Sequence, residues 1–427
     1  MRKVASRVRL APLVGLVVAV GFAGTAQASG FQLREQGAED LGLAVAGSAA
    51  RADGLSTVYF NPAGMTRLHG TQIGGSASFI APSAKFSSGG ATTRAGTGIA
   101  GGNGGDAGVP TPLAANYLMT EVTPDLRLGL AINTPWGLGT KYESDWVGRY
   151  HAIETSMLTI NVAPSVAYKL GKLSLGGALQ VEYARAKLSN AVDFGLLMRT
   201  TPGSADGFAL VEGDSLAVGT RLGLLYEFDP ATRAGITWHS GMTHKVEGSA
   251  EFSNVPAALS RNFQKNDATS KLVVPDVVTA SLYRDITPSL ALMGTVEWTN
   301  WSRFRSMVIN FSSPTLSPSI TPEHWKDSWL LSVGGKYKVT DRLALLGGLA
   351  YDQSPVPDEY RTPRIPDQSR TWISLGATYD LSQAVSFSAG YTHIFAKEAD
   401  LNLREPATTG APGFSKGNVT GTYDSSV

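Results

Sequence analysis

From about residue 71 onward, apolar and polar residues alternate in segments of roughly ten, joined in turn by tight turns and by long polar loops. Val385, Phe387, Ala389 and Tyr391 interleave with Ser386, Ser388, Gly390 and Thr392; Leu173, Leu175, Leu179, Val181 and Tyr183 stand against Ser174, Gly176, Gln180 and Glu182. Successive side chains of a strand point to opposite faces, so each segment has one greasy face and one wet face. A soluble sandwich alternates as well, and the connections decide between the two. Short turn signals fall at Thr123-Pro124-Asp125, Gly171-Lys172, Asp229-Pro230, Thr287-Pro288, Thr340-Asp341 and Ser382-Gln383. Between them lie long stretches near 84–112, 134–155, 189–213, 251–268, 303–326, 354–368 and 398–417. Seven long and six short connections join fourteen strands. Short turns at one end and long loops at the other are the asymmetry of an outer-membrane barrel, whose strand number is even. The expected fold is therefore an all-β, 14-stranded antiparallel transmembrane β-barrel over residues 71–427.

The amino terminus carries a matching address. Arg2, Lys3, Arg7 and Arg9 precede an apolar stretch from Leu10 to Ala23, and Ala26-Gln27-Ala28 supplies small residues for cleavage, so residues 1–28 read as a signal peptide. The apolar run is shorter than the ~20 residues an anchoring helix requires. With no cysteine, disulfide scaffolds, thiolate metal sites and cysteine nucleophiles are excluded, and a net charge of +1 argues against a nucleic-acid partner. A barrel of fourteen strands is too wide to be filled by its own side chains, since about eight is the limit for that. Residues 29–70 are the candidate plug. They lack strand alternation, read as short helices and turns, and carry too many apolar residues (Phe31, Leu33, Leu41, Leu43, Val45, Val58, Tyr59, Phe60, Met65) for a solvated tail.

Three stretches resemble the FadL-type outer-membrane transporters of long-chain fatty acids and other hydrophobic compounds. The first is "SGFQLREQGAEDLGLAVAG…STVYFNPAGM", with an Asn-Pro-Ala motif at Asn61, Pro62 and Ala63. The second is "NTPWGLGTKYESDWVGRYHA", continued by "NVAPSVAYKL" and "VEYARAKLSNAVDFG"; the third is "HWKDSWLLSVGGKYKV…LAYDQSPVPDEYRTPRIPDQSRTWISLGATYDL". Together they span almost the whole chain after the signal peptide. The resemblance implies an amino-terminal, mostly helical hatch plugging the barrel, capture of ligands by outer loops, and an internal apolar pocket between hatch and wall near Phe31, Asn61, Pro62 and Ala63. It also implies a kinked third strand through which a hydrophobic molecule leaves sideways into the membrane. The kink has a local cause in Thr134-Pro135-Trp136-Gly137, because proline cannot donate to the ladder and glycine weakens it; the plain alternative is that Pro135 ends the strand. Trp146 and the loop residues Phe194, Leu196, Leu197, Met198 and Phe208 are greasy enough for a capture groove, or for loops that pack on each other over the barrel mouth.

A fatty-acid carboxylate in a low-dielectric pocket needs a cation. The arginine that serves in the family's fatty-acid carriers aligns with Asn190 here, and Lys326 is the nearest counterpart of its lysine partner. Arg185 and Lys187 are the other head-group candidates. That departure keeps two substrates open, long-chain fatty acids and monoaromatic hydrocarbons, which need no cation. Passive import by a monomer is the expected function, with outer-membrane lipid and lipopolysaccharide as surroundings and neither cofactor nor metal. The six histidines come with no Gly-x-Ser-x-Gly elbow or His-Glu-x-x-His motif, which leaves an outer-membrane acyl hydrolase as a remote alternative. The last segment, "GNVTGTYDSSV", is shorter than a full span and lacks a terminal aromatic, so the fourteenth strand is expected to be incomplete.

Overall fold

A computed structural model describes residues 30–405 and 415–427, so the signal-peptide expectation lies outside the described residues. The chain is almost entirely antiparallel β-structure. In order it forms β1 (Thr71–Ile80), β2 (Ser83–Thr92), β3 (Thr111–Glu121), β4 (Leu126–Asn133), β5 (Gly137–Lys141), β6 (Glu154–Leu170) and β7 (Leu173–Asp193). Then come β8 (Asp206–Asp229), β9 (Thr232–His239), β10 (Met242–Ser253), β11 (Asn266–Val274), β12 (Val277–Thr287), β13 (Leu290–Thr299) and β14 (Ser306–Phe311). The series ends with β15 (Ser319–Pro322), β16 (Ser328–Lys338), β17 (Leu343–Asp352), β18 (Arg370–Asp380), β19 (Ser386–Ala396), β20 (Ala399–Leu403) and β21 (Asn418–Ser426). The wall ladder runs β1–β3–β4–β6–β7–β8–β9–β12–β13–β16–β17–β18–β19, each strand antiparallel to the next. All six short turns read from the sequence fall between consecutive wall strands.

The loops are less irregular than expected. The stretch 189–213 is largely ladder, because β7 and β8 stay paired from Leu173–Tyr226 to Asp193–Asp206 and leave only 194–205 as loop. The final segment, β21, belongs chiefly to a small outer sheet with β2 and β20, and meets β19 at the single pair Phe395–Ser426.

Large apolar side chains point outward along the wall in an unbroken series. Leu128, Ile160, Val166, Leu179, Leu222, Ile236, Leu282, Val296, Val333, Leu349 and Leu375 are all exposed. A belt of this extent costs too much in water and fits hydrocarbon. No helix among the described residues is long and apolar enough to cross a membrane. Among the aromatics near strand ends, Tyr168, Tyr226, Tyr337, Tyr379 and Tyr391 are exposed, as interfacial side chains would be, whereas Trp301 and Tyr283 are buried.

Residues 30–68 pack against the inner face of the sheet. They contain helices α1 (Ala38–Gly42) and α2 (Thr57–Phe60) and a 3-10 turn, Pro62–Arg67. Asn61 caps that turn, its Oδ1 accepting from the Ala63 amide at 3.0 Å, while its Nδ2 donates to the Leu224 carbonyl of β8 at 2.9 Å. Two floors of paired glycine admit the segment. Gly176 and Gly223 face each other across β7 and β8, and a Cβ on either would collide with Ala63 or Asn61. Gly376 and Gly390 are paired across β18 and β19, where side chains would strike Gly42 and Ala38. Wall hydroxyls bind the same segment: Thr295 to the Val45 carbonyl at 3.2 Å and Ser332 to the Ala44 carbonyl at 2.6 Å.

Candidate functional site

An apolar pocket of about 90 Å³ lies above the amino-terminal segment. Its walls are the apolar side chains of Leu138, Met157, Leu188, Val211, Val246, Leu272, Met307 and Ile309, contributed by β5 to β8, β10, β11 and β14. Phe31 forms its floor. The Phe31 ring lies within 4.6 Å of Trp301 and 5.8–5.9 Å of Trp136, Phe304 and Trp325, and most of these contacts are edge-on, the favoured geometry for ring quadrupoles. The Asn-Pro-Ala motif does not line this pocket; Asn61, Pro62 and Ala63 are seated on the β7–β8 glycines.

Four ionisable residues line the same pocket: Glu212 and Lys271 on the strands, and Arg364 and Glu323 together from the loops. Arg364 has no carboxylate at ion-pair distance among the described residues. It donates instead to Thr155 Oγ1 and Asn190 Oδ1, both at 3.2 Å. Burial holds its guanidinium down to about 10, still charged at neutral pH. Glu323 is pushed up to about 8 by burial, which outweighs the Trp325 indole bond (3.0 Å) and the nearby Lys416 and Arg364 charges. At pH 7 the pocket head therefore carries a cation beside a neutral carboxyl. The head-group candidates read from the sequence fall elsewhere, apart from Asn190. Arg185 is exposed against Glu212, Lys187 pairs with Glu154 at 3.1 Å, and Lys326 is exposed in its loop. Arg364 escaped notice because its loop shows no periodicity; the flanking Pro363 and Pro366, which stiffen a loop around a lone cation, were the available signal.

The segment after β4 does not simply end the strand. β4 pairs with β6 up to Asn133–Asn161, and the ladder resumes at Gly137–Leu158, so Thr134, Pro135 and Trp136 bulge across two partner residues. On its other side β4 is paired with β3 only from Glu121 to Asn116, which leaves Thr111–Ala115 of β3 without a partner on that edge. The amino-terminal segment occupies the bulge. Leu33 N donates to the Pro135 carbonyl at 2.8 Å and Gly137 N to the Phe31 carbonyl at 2.9 Å. The Leu33 side chain packs with Ile80 and Leu113 beside the unpaired edge.

The outer loops form two separate clusters. Phe194, with Leu197 and Met198 at its margin, packs on Val192, Ala209, Phe263 and Leu316. Leu196 and Phe208 are half-buried beside this group. Trp146 is fully buried in the other cluster, stacked on Tyr142 at 4.1 Å among Phe86, Val419 and Tyr423. No group of three or more His, Asp or Glu residues among those described could hold a metal.

A lipid-facing belt around an antiparallel wall, with an enclosed apolar pocket above an inward-packed amino terminus, is the architecture of an outer-membrane β-barrel for transport. Residues 19–427 match the model of the outer membrane protein transport protein family (OMPP1/FadL/TodX), and the chain belongs to that family. The 47 kDa outer membrane protein of Pasteurella multocida is 32% identical over 397 residues, covering 88% of this chain and 89% of that one. The long-chain fatty acid transport protein of Escherichia coli (strain K12) is 28% identical, with 91% and 92% covered. Among solved structures, a Pseudomonas aeruginosa FadL homologue superposes with a TM-score of 0.87 at 22% identity, over 93% of this chain and 97% of that one. The P. putida toluene transporter TodX gives 0.71 at 17%, over 92% and 97%.

Proposed function

We propose that this protein imports long-chain fatty acids passively across the outer membrane, as a single fourteen-stranded barrel plugged by residues 29–70. The observation that carries this reading is an apolar pocket lined at once by Arg364 and by Phe31 of the hatch. Methylenes contribute about 0.8 kcal/mol each on burial, so the chain supplies the affinity, and the arginine selects the carboxylate. Entry begins at the Phe194 loop cluster. Release follows a hatch shift that withdraws Phe31 and Leu33 from the bulge at Thr134–Gly137 and frees the edge of β3 toward the membrane.

The test is oleate binding to purified protein. Arg364→Gln is expected to weaken oleate about ten- to a hundredfold, the loss of one charge-assisted contact, while leaving affinity for octadecane within twofold. Equal loss for both ligands, or none for oleate, refutes the reading. The five-ring cluster at the pocket floor supports a second substrate class, monoaromatic hydrocarbons. Toluene that displaces oleate at equal occupancy of the pocket, with no effect of Arg364→Gln on toluene, decides for that class.

A further inference from the structure

Arg221 of β8 is fully buried beneath the hatch and no carboxylate lies at ion-pair distance from it among the described residues. One Nη donates to Gln180 Oε1 at 3.0 Å and lies 3.3 Å from His239 Nδ1. Its Nε and other Nη have no hydrogen-bond partner among the described residues. Tyr59 of the hatch covers the guanidinium face, 4.1 Å from ring centroid to Cζ. Buried arginines elsewhere in the lumen are discharged differently: Arg34 on Glu297 and Asp352, and Arg233 on hatch carbonyls. An unpaired buried charge with open donors is costly, and the great majority of buried polar groups have partners.

The surroundings extend the pattern. Gln180 shares a face of β7 with Glu182, whose Oε1 takes His244 Nε2 at 3.0 Å while its Oε2 is unpartnered. In register, Glu182 faces Asn161, and Asn161 faces Asn133 at the foot of the strand bulge. Asn161 Oδ1 and Asn133 Nδ2 are likewise buried without partners. Among the described residues, open polar atoms thus stand at Arg221, Glu182, Asn161 and Asn133, but Glu182 Oε2 and Asn161 Oδ1 are acceptors, and Arg221 is the cation among them.

We propose that Arg221 is a second carboxylate station in the lumen, which takes the anionic head group of the cargo after it leaves Arg364. The inference rests on the fatty-acid reading above. The head group replaces Tyr59 as the neighbour of Arg221 when the hatch moves, so the two opposite charges meet out of water. A cargo without a polar head has no use for this station.

Oleate labelled with carbon-13 at its carboxyl, titrated into the full-length protein in detergent, reports each head-group environment as a separate carbonyl resonance. Two bound resonances are expected. Arg364→Gln removes the first and Arg221→Gln the second, and Arg221→Lys retains two. In liposomes, Arg221→Gln is expected to slow oleate transfer at least tenfold. Heat-modifiable gel mobility identifies variants that are folded, and Arg221→Lys carries the assignment if the glutamine variant does not fold. A single, Arg364-dependent resonance in the native protein overturns the second station alone. No bound resonance at all overturns the fatty-acid reading and this inference with it.

Discussion

At the scale of single residues, the pocket head is an electrostatic device set by burial. Glu323 is neutral up to about pH 8, so below that pH the Arg364 charge is unopposed. As pH rises through about 8 the carboxylate forms, and Lys416, held down to about 8 by burial, loses its proton in the same window. Both changes remove positive potential. His151, beside Lys416 and Arg364, is held down to about 3 and does not titrate there, and Glu405 also faces Lys416. Oleate affinity is therefore expected to fall about tenfold between pH 7 and 9.5, read by fluorescence titration, and Glu323→Gln removes most of that fall. The same linkage makes Glu323 a cost to folding at high pH: the stability that goes with its neutral form is fully present below about pH 4.5 and is lost as pH rises through about 8. Ala44 and Val45 of the hatch, with φ of 50° and 58°, adopt the left-handed region without being glycine. Such residues cost of order 1–3 kcal/mol each and persist only where neighbours hold them, here the hydroxyls of Ser332 and Thr295.

At the scale of elements, the central contact is the bridge between the hatch and the bulged strand. Gln32 and Trp136 form a non-hydrogen-bonded antiparallel pair flanked by the Leu33–Pro135 and Phe31–Gly137 bonds, the arrangement with the closest Cα atoms. That spacing accepts a disulfide, and the chain has no native cysteine to compete. Gln32→Cys with Trp136→Cys is expected to abolish oleate uptake by cells when oxidised and to recover it on reduction; uptake unaffected by oxidation would remove hatch withdrawal from the mechanism. The turns at Thr123–Asp125 or Thr340–Asp341 were legible because proline, aspartate and glycine act on their own backbone. The upper reaches of β7 and β8 were not, since above the lipid neither face must be apolar and alternation stops reporting the strand. Arg364 was illegible for another reason: it meets Asn190 across 174 residues of chain, and no local pattern encodes that meeting.

At the scale of the whole molecule, the hatch is seated on glycine floors at two distant points of the wall, β7–β8 and β18–β19. Replacing Gly223 with valine thrusts a branched side chain into Asn61. The expected outcome is an unseated hatch and a steady ionic current in planar bilayers, larger than that of the native protein; silence from a folded Gly223→Val barrel would show that the lumen is closed by something other than the hatch. The 24-residue β8 also sets the height of the site. At roughly 3.4 Å per residue and a tilt of about 45°, it climbs some 55 Å, about twice the hydrocarbon thickness of an outer membrane. The loop joining β7 and β8 is thus carried on a mast well beyond the lipid-facing belt, so a molecule approaching that end meets protein before it meets the membrane surface.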